Sequence, residues 1–150
     1  MDSFDRHILR VLQQDGRISN QHLAGEVGLS AAACWRRVKA LEESKAIRKY
    51  AALVDADIVQ QGLCVLVMVS LLRHSVIHTK AFEEAMTVCE EVLQCYAVAG
   101  NADFVLRVMV SDIKAYDQFL NDKVFPLEGI SQVNSNFALR EIKCETALKV

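Results

Sequence analysis

The segment Leu63–Arg73, reading LCVLVMVSLLR, limits what this chain can fold into more than any other part of it. Side chains alternate between the two faces of a strand. Here Leu63, Val65, Val67, Val69 and Leu71 would point one way, and Cys64, Leu66, Met68 and Leu72 the other. Both sets are apolar, so the segment predicts a strand that needs cover on both faces.

The segments that follow show where that cover comes from. Ser75–Glu91 has helical periodicity, with Ala81, Phe82, Ala85, Met86 and Val88–Cys89 on the inward side. Val92–Ala99 and Asp103–Ser111 read as strands, and Gly100-Asn101-Ala102 between them suits a hairpin loop. Asp112–Phe125 predicts a helix with Asp112 as N-cap, and the only proline, Pro126, lies just past its end. Ser131–Ile142 predicts a last strand. The order is the βαββαβ of a ferredoxin-like domain, which places helices on one sheet face only. The other face would be a large exposed apolar patch. A second subunit packed sheet to sheet would cover it, so a homodimer at least is expected.

The N-terminal third follows a different pattern. Residues 2–15 predict a helix capped by Asp2, with Phe4, Ile8, Val11 and Leu12 at helical spacing and Gly16 at its end. Ser19–Val27 predicts a second helix, stopped by a left-handed Gly28. Ser30 caps a third, which runs to about Ser44, and Leu29 is placed to pack on Cys34. Ile47–Asp55 reads as a short strand and Ala56–Gly62 as a helical turn or linker. The chain thus divides into a winged or plain helix-turn-helix domain at 1–52, a linker at 53–62 and the ferredoxin-like domain at 63–150. The fold class is α+β.

Two helices joined by a short turn containing glycine make a helix-turn-helix, whose second helix enters the major groove of DNA. Cys34, Val38 and Leu41 form that helix's core stripe, and Ala32, Arg36, Lys39 and Glu43 lie opposite, at 100° per residue. Arg36 and Lys39 suit guanine edges or phosphates. The helix N-terminus with Ser30 can bind a phosphate, and small Ala32 permits close approach. Trp35 and Arg37 on the flanks could clamp the backbone, with Arg48 and Lys49 adding phosphate contacts. Charge agrees with this division. Residues 1–50 hold nine Lys/Arg against six Asp/Glu (+3), and the remainder eight against thirteen (−5).

Other classes find little support. No run of 18 apolar residues suggests a membrane helix. The start, Met1-Asp2-Ser3-Phe4-Asp5, has neither the basic region nor the apolar stretch of a signal peptide, so a cytoplasmic protein is expected. Cysteines 34, 64, 89, 95 and 144 form no C-x-x-C pair and read as reduced, mostly buried structural thiols. His74 and His78 are four apart but lack H-E-x-x-H and the further ligands of a metal site. Neither an enzyme nor a cofactor is expected.

Several motifs in order resemble the Lrp/AsnC, or feast/famine, transcription regulators over nearly the whole chain. They are Phe4-Asp5-Arg6-His7-Ile8-Leu9, Gln14-Asp15-Gly16-Arg17-Ile18-Ser19, Val27-Gly28-Leu29-Ser30, Cys34 through Glu42, Tyr50-Ala51-Ala52-Leu53, Ala99 through Asp103, and Ser135-Asn136-Phe137 through Ile142-Lys143. The resemblance implies dimers and often octamers, a nucleoid-associated role on double-stranded DNA, control linked to amino-acid metabolism, and a free amino acid bound between dimers. Carried onto this chain, the effector residues would be Gly100, Asn101, Asp103, Asn134 and Asn136, with Asp103 pairing the ammonium group. An aspartate at a hairpin can equally cap backbone amides.

Two positions depart from the family pattern. Asn101 and Ala102 stand where the family usually has an acidic residue and an aromatic, and Lys45 stands where it usually has glycine. The first departure keeps open an architectural DNA-binding protein with no effector.

Overall fold

The computed structural model describes residues 1–72 and 76–150. They form two compact units, Met1–Leu53 with Ile142–Val150, and Val54–Glu141.

The first unit is built on three helices, α1 (Ser3–Gln14), α2 (Asn20–Val27) and α3 (Ala31–Glu43). Each begins at a side-chain cap that satisfies an otherwise unpaired helix N–H. Asp2 and Asp5 form a reciprocal capping box on α1, Ser19 accepts from the His22 N–H, and Ser30 accepts from the Ala33 N–H. Gly28 ends α2 at φ +71°, the left-handed conformation expected of it. Ile8, Leu23, Ala24, Val27, Cys34 and Leu41 fill the core, and Leu29 and Val38 pack against it.

Two features differ from the sequence reading. α1 stops at an extended Asp15, before Gly16. Residues 47–55 form no strand, because a lone strand has no ladder to join. Local bonds hold the start of that segment: the Ile47 N–H donates to the Leu41 carbonyl, and the Tyr50 hydroxyl donates to Glu42 at 2.9 Å.

The second unit carries β1 (Leu63–Leu71), α4 (Val76–Thr87), β2 (Val92–Ala97), β3 (Phe104–Val110), α5 (Ile113–Phe119) with a π turn at Leu120–Val124, and β4 (Ile130–Phe137). The strands lie in the order β2-β3-β1-β4, antiparallel throughout, which is the ferredoxin-like sheet. Val65, Val67, Val69 and Leu71 pack with Phe104, Leu106, Val108 and Val110 beneath Phe82, Met86, Tyr116, Phe119 and Val124.

The helices are shorter than their apolar patterns suggested. Only the Phe82–Met86 stripe of α4 is buried. Ala81 is exposed because it lies off that stripe, and Val88 because the helix ends at Thr87. α5 gives way to a π turn in which the Phe125 N–H reaches back to the Leu120 carbonyl, leaving Val124 fully buried. β4 ends at Phe137, not Ile142. The Ala138 N–H bonds the Cys64 carbonyl, and β1 offers no further partner beyond Leu63. Residues 142–150 return to the helical unit, where Gln13 holds Leu148. Arg73, His74 and Ser75, read as a strand end, a surface histidine and a helix start, lie outside the described residues.

A candidate DNA-reading helix and effector face

α3 turns two kinds of basic residue in different directions. Ala32, Trp35, Arg36 and Lys39 are exposed, as is Ser30 at the cap. The Lys39 ammonium lies 5.1 Å from the Trp35 ring centroid, within cation–π range, and 3.9 Å from Glu43. Both Trp35 and Lys39 open onto a cleft of about 410 Å³ that Tyr50 borders. Burial and the adjacent Glu42 carboxylate push the Tyr50 phenol up to about 12, so it stays a neutral donor.

Arg37 is placed otherwise. Its Nη1 sits 2.7 Å from Asp5 Oδ1 and 2.9 Å from Asp2 Oδ2, and the guanidinium lies over the Phe4 ring at 5.4 Å. The hydrogen bonds from Arg37 to Asp5 and Asp2 raise its pKa above the usual guanidinium value. Sequence periodicity put Arg37 on the flank as a clamp for the DNA backbone. The structure engages it with the start of α1, a partner 32 residues away that no local pattern on α3 announces. Arg48 and Lys49 are exposed just past the helix.

The sheet sorts the effector candidates into two groups. Register pairs Asn136 with Leu66, Asn134 with Met68 and Gln132 with Ser70. These polar side chains therefore line the face away from the helices. On that face β3 contributes Val105, Arg107 and Met109, and β2 contributes Gln94 and Tyr96. The Asn136 amide donates to the Leu66 carbonyl at 3.3 Å, and the Gln132 amide donates to Asn134 at 3.4 Å. On the opposite face Ser135 meets the Tyr116 hydroxyl, and Phe137 packs edge-on against the Tyr116 ring.

The second group sits at the end of β1. Gly100, at φ +153°, opens the loop, and Asn101 is exposed. Asp103 donates its N–H to the Val69 carbonyl, and its carboxylate accepts the Leu71 N–H at 2.7 Å. That is the backbone-capping use of a hairpin aspartate. Asp103 is level with Ser70, while Asn136 is level with Leu66, about 13 Å away along β1 at the usual strand rise. Asn134 and Asn136 share one face and Gly100, Asn101 and Asp103 share one loop; Ser70, level with Gln132, donates to the Asn101 carbonyl at 3.5 Å, and Gln132 donates to Asn134, so the nearer asparagine lies beside the loop and Asn136 farther along the strand.

Comparison with known proteins decides the family. Residues 1–42 match the AsnC-type helix-turn-helix domain, and residues 64–148 match the Lrp/AsnC ligand binding domain. The chain belongs to the Lrp/AsnC family. It is 37% identical over its full length, and over 99% of the other chain, to the DNA-binding transcriptional activator DecR of Escherichia coli K12. Among solved structures, an AsnC family regulator from Agrobacterium tumefaciens superposes with a TM-score of 0.94 at 40% identity, covering 99% of this chain and 97% of that one. A Neisseria meningitidis transcriptional regulator, solved as an L-Met complex, also gives 0.94, at 35% identity over 99% and 96% of the two chains. This Lrp/AsnC protein is therefore a DNA-binding transcription regulator, with its helix-turn-helix match confined to residues 1–42.

The described residues bear on the other chemistries as well. Among them no three His, Cys, Asp or Glu gather as a metal site, and no helix is long and apolar enough to cross a membrane. The cysteines are not mostly buried as expected: only Cys34 is fully buried, on the core stripe of α3, while Cys95 and Cys144 are exposed. Burial raises the thiol pKa of Cys34, and burial with Glu91 nearby raises that of Cys89 to about 11, so both thiols stay protonated.

Proposed function

We propose that this regulator reads DNA with the exposed face of α3, dimerises through its open sheet face and responds to a free amino acid. The observation that carries the proposal is the division of labour on α3. Arg37 is taken up by Asp2 and Asp5, while Arg36 and Lys39 stand outward beside small Ala32 at a capped helix N-terminus. In this reading Arg36 and Lys39 meet base edges or phosphates, Ser30 and the helix start take a phosphate, and Trp35, Arg48 and Lys49 flank the backbone. Arg37 sets the angle between α1 and α3.

The open sheet face supports the dimer. Leu66 is 43% exposed, and its neighbours Cys64, Met68, Val105 and Met109 are only partly covered in one protomer. A face of this kind is rarely left to water. A second copy also supplies what one protomer lacks, because polar groups from two chains can enclose a ligand that one sheet leaves open. Asn134 and Asn136 would bind the ligand from the sheet, and Gly100, Asn101 and Asp103 from the loop. The L-Met found in the Neisseria regulator makes methionine the first ligand to try. Such a regulator acts on chromosomal DNA in the cytoplasm, as a dimer or an octamer of four dimers, with no cofactor and no catalytic step.

A second reading keeps the DNA-binding and oligomeric roles without an effector. It is favoured by the Asp103 carboxylate, which already accepts the Leu71 N–H.

The test is binding of the purified protein to its own promoter region and to random DNA of equal length, with and without L-methionine. Preference for the promoter supports a specific regulator, and a methionine-dependent change in affinity supports the effector. Equal binding to both fragments, unmoved by L-methionine and then by each of the other common amino acids in turn, supports the architectural reading.

A further inference from the structure

The path of residues 142–150 follows from no sequence pattern, and it ends on specific bonds. The Gln13 carboxamide makes both hydrogen bonds that an extended peptide offers. Its Nε2 donates to the Leu148 carbonyl at 3.0 Å, and its Oε1 accepts the Leu148 N–H at 2.6 Å. Arg10 Nη1 donates to the Val150 carbonyl at 3.4 Å. Arg10 and Gln13 are three residues apart on α1 and therefore share one helix face. Paired backbone donors and acceptors are how a sheet edge captures a peptide, and here one glutamine does the same. The Leu148 side chain is 75% exposed, so hydrogen bonds and not apolar burial fix the tail.

We propose that the outer face of α1 is a docking surface for residues 142–150, and that this strap is a second tie between β4 and the DNA-binding unit. The chain passes between the two units at 53/54 and again at 141/142. A single flexible connector leaves a unit free to swing, whereas a docked second connector restricts it. β4, which carries Asn134 and Asn136, ends at Phe137, and the bonded residues of the strap begin at Leu148. Use of the strap in regulation rests on the amino-acid reading above, whereas the docking does not.

Hydrogen exchange on the intact chain tests it. The Leu148 amide, which donates to Gln13, should exchange in the wild type at least tenfold more slowly than in a free peptide of the same sequence. Gln13→Ala should bring it about tenfold closer to the free peptide, leaving exchange in α2 and α3 unchanged. Gln13→Leu keeps a side chain of similar size on α1 but has neither donor nor acceptor, and should act alike. A wild-type Leu148 amide that exchanges at the free-peptide rate, or protection that survives both variants, would overturn the proposal. Failure of the protein to bind its promoter would count against the DNA reading alone, since the exchange result does not depend on DNA.

Discussion

Asp5 Oδ1 lies 2.7 Å from Arg37 Nη1 while the Asp5 N–H donates to Asp2 Oδ1, so one acidic pair both caps α1 and anchors α3. This couples the start of the first helix to the middle of α3. The proposed function gives the neighbouring arginines of α3 different duties, and salt dependence separates them. Each phosphate contact contributes about −0.9 to the slope of log K against log salt. Arg36→Ala should lower the slope's magnitude by about 1 if Arg36 meets a phosphate. Arg37→Ala should weaken binding and lower the thermal midpoint with the slope kept. Titrating DNA binding at several salt concentrations reads both.

Lys45 adopts φ +62°, in the left-handed region that favours glycine. Its carbonyl-side neighbours close the end of α3, where the Lys45 N–H bonds the Glu42 carbonyl. Lys45→Gly should stabilise the protein by about 1 kcal/mol, through relief of left-handed strain. Chemical denaturation should show a higher midpoint with an unchanged slope.

Two helix caps predict an acid limit. The Asp2 carboxylate is held below its ordinary value first by the Asp5 N–H and also by Arg37, and the Asp112 carboxylate first by the Ala115 N–H. A carboxyl with a lowered folded pKa contributes stability that is present above its unfolded value, here 3.8, and lost as pH falls through the folded value. Stability should thus fall below about pH 4. Asp112→Asn should flatten that fall, measured by denaturant melts from pH 6 to pH 2.5.

Adjacent residues of β1 should fail in different ways. Val67 is fully buried under the helices, whereas Met68 lies on the open face. Val67→Lys buries an unpaired charge and should unfold the second unit. Met68→Lys should leave the protomer folded and reduce the mass seen by sedimentation to that of a monomer. A Met68→Lys protein that sediments as the wild type would remove the open face as the dimer surface.

Elements with local causes were legible in the sequence. The caps at Asp2, Ser19, Ser30 and Asp112, the left-handed Gly28 and the alternation of β1 all follow from residues within a few positions of each other. Features settled by distant partners were not. Ile47–Asp55 has strand composition, but strand formation needs a neighbour, and composition cannot supply one. The ends of α4 and β4 depend on where the sheet stops. The Arg37–Asp5 pair and the Gln13–Leu148 clasp join residues 32 and 135 positions apart. A basic residue on a helix flank looks the same in sequence whether it meets DNA or another helix. The left-handed conformation of Lys45 was foreseeable from the family resemblance, which implied a glycine at that position.

Groove reading by α3 is tested most directly by the salt dependence of binding to the protein's own promoter region, wild type beside Arg36→Ala/Lys39→Ala. Tight binding that weakens steeply with salt is expected, with a double variant that loses both affinity and about 2 units of slope. Equal affinities and slopes for the two proteins would show that α3 does not read the DNA through its exposed face.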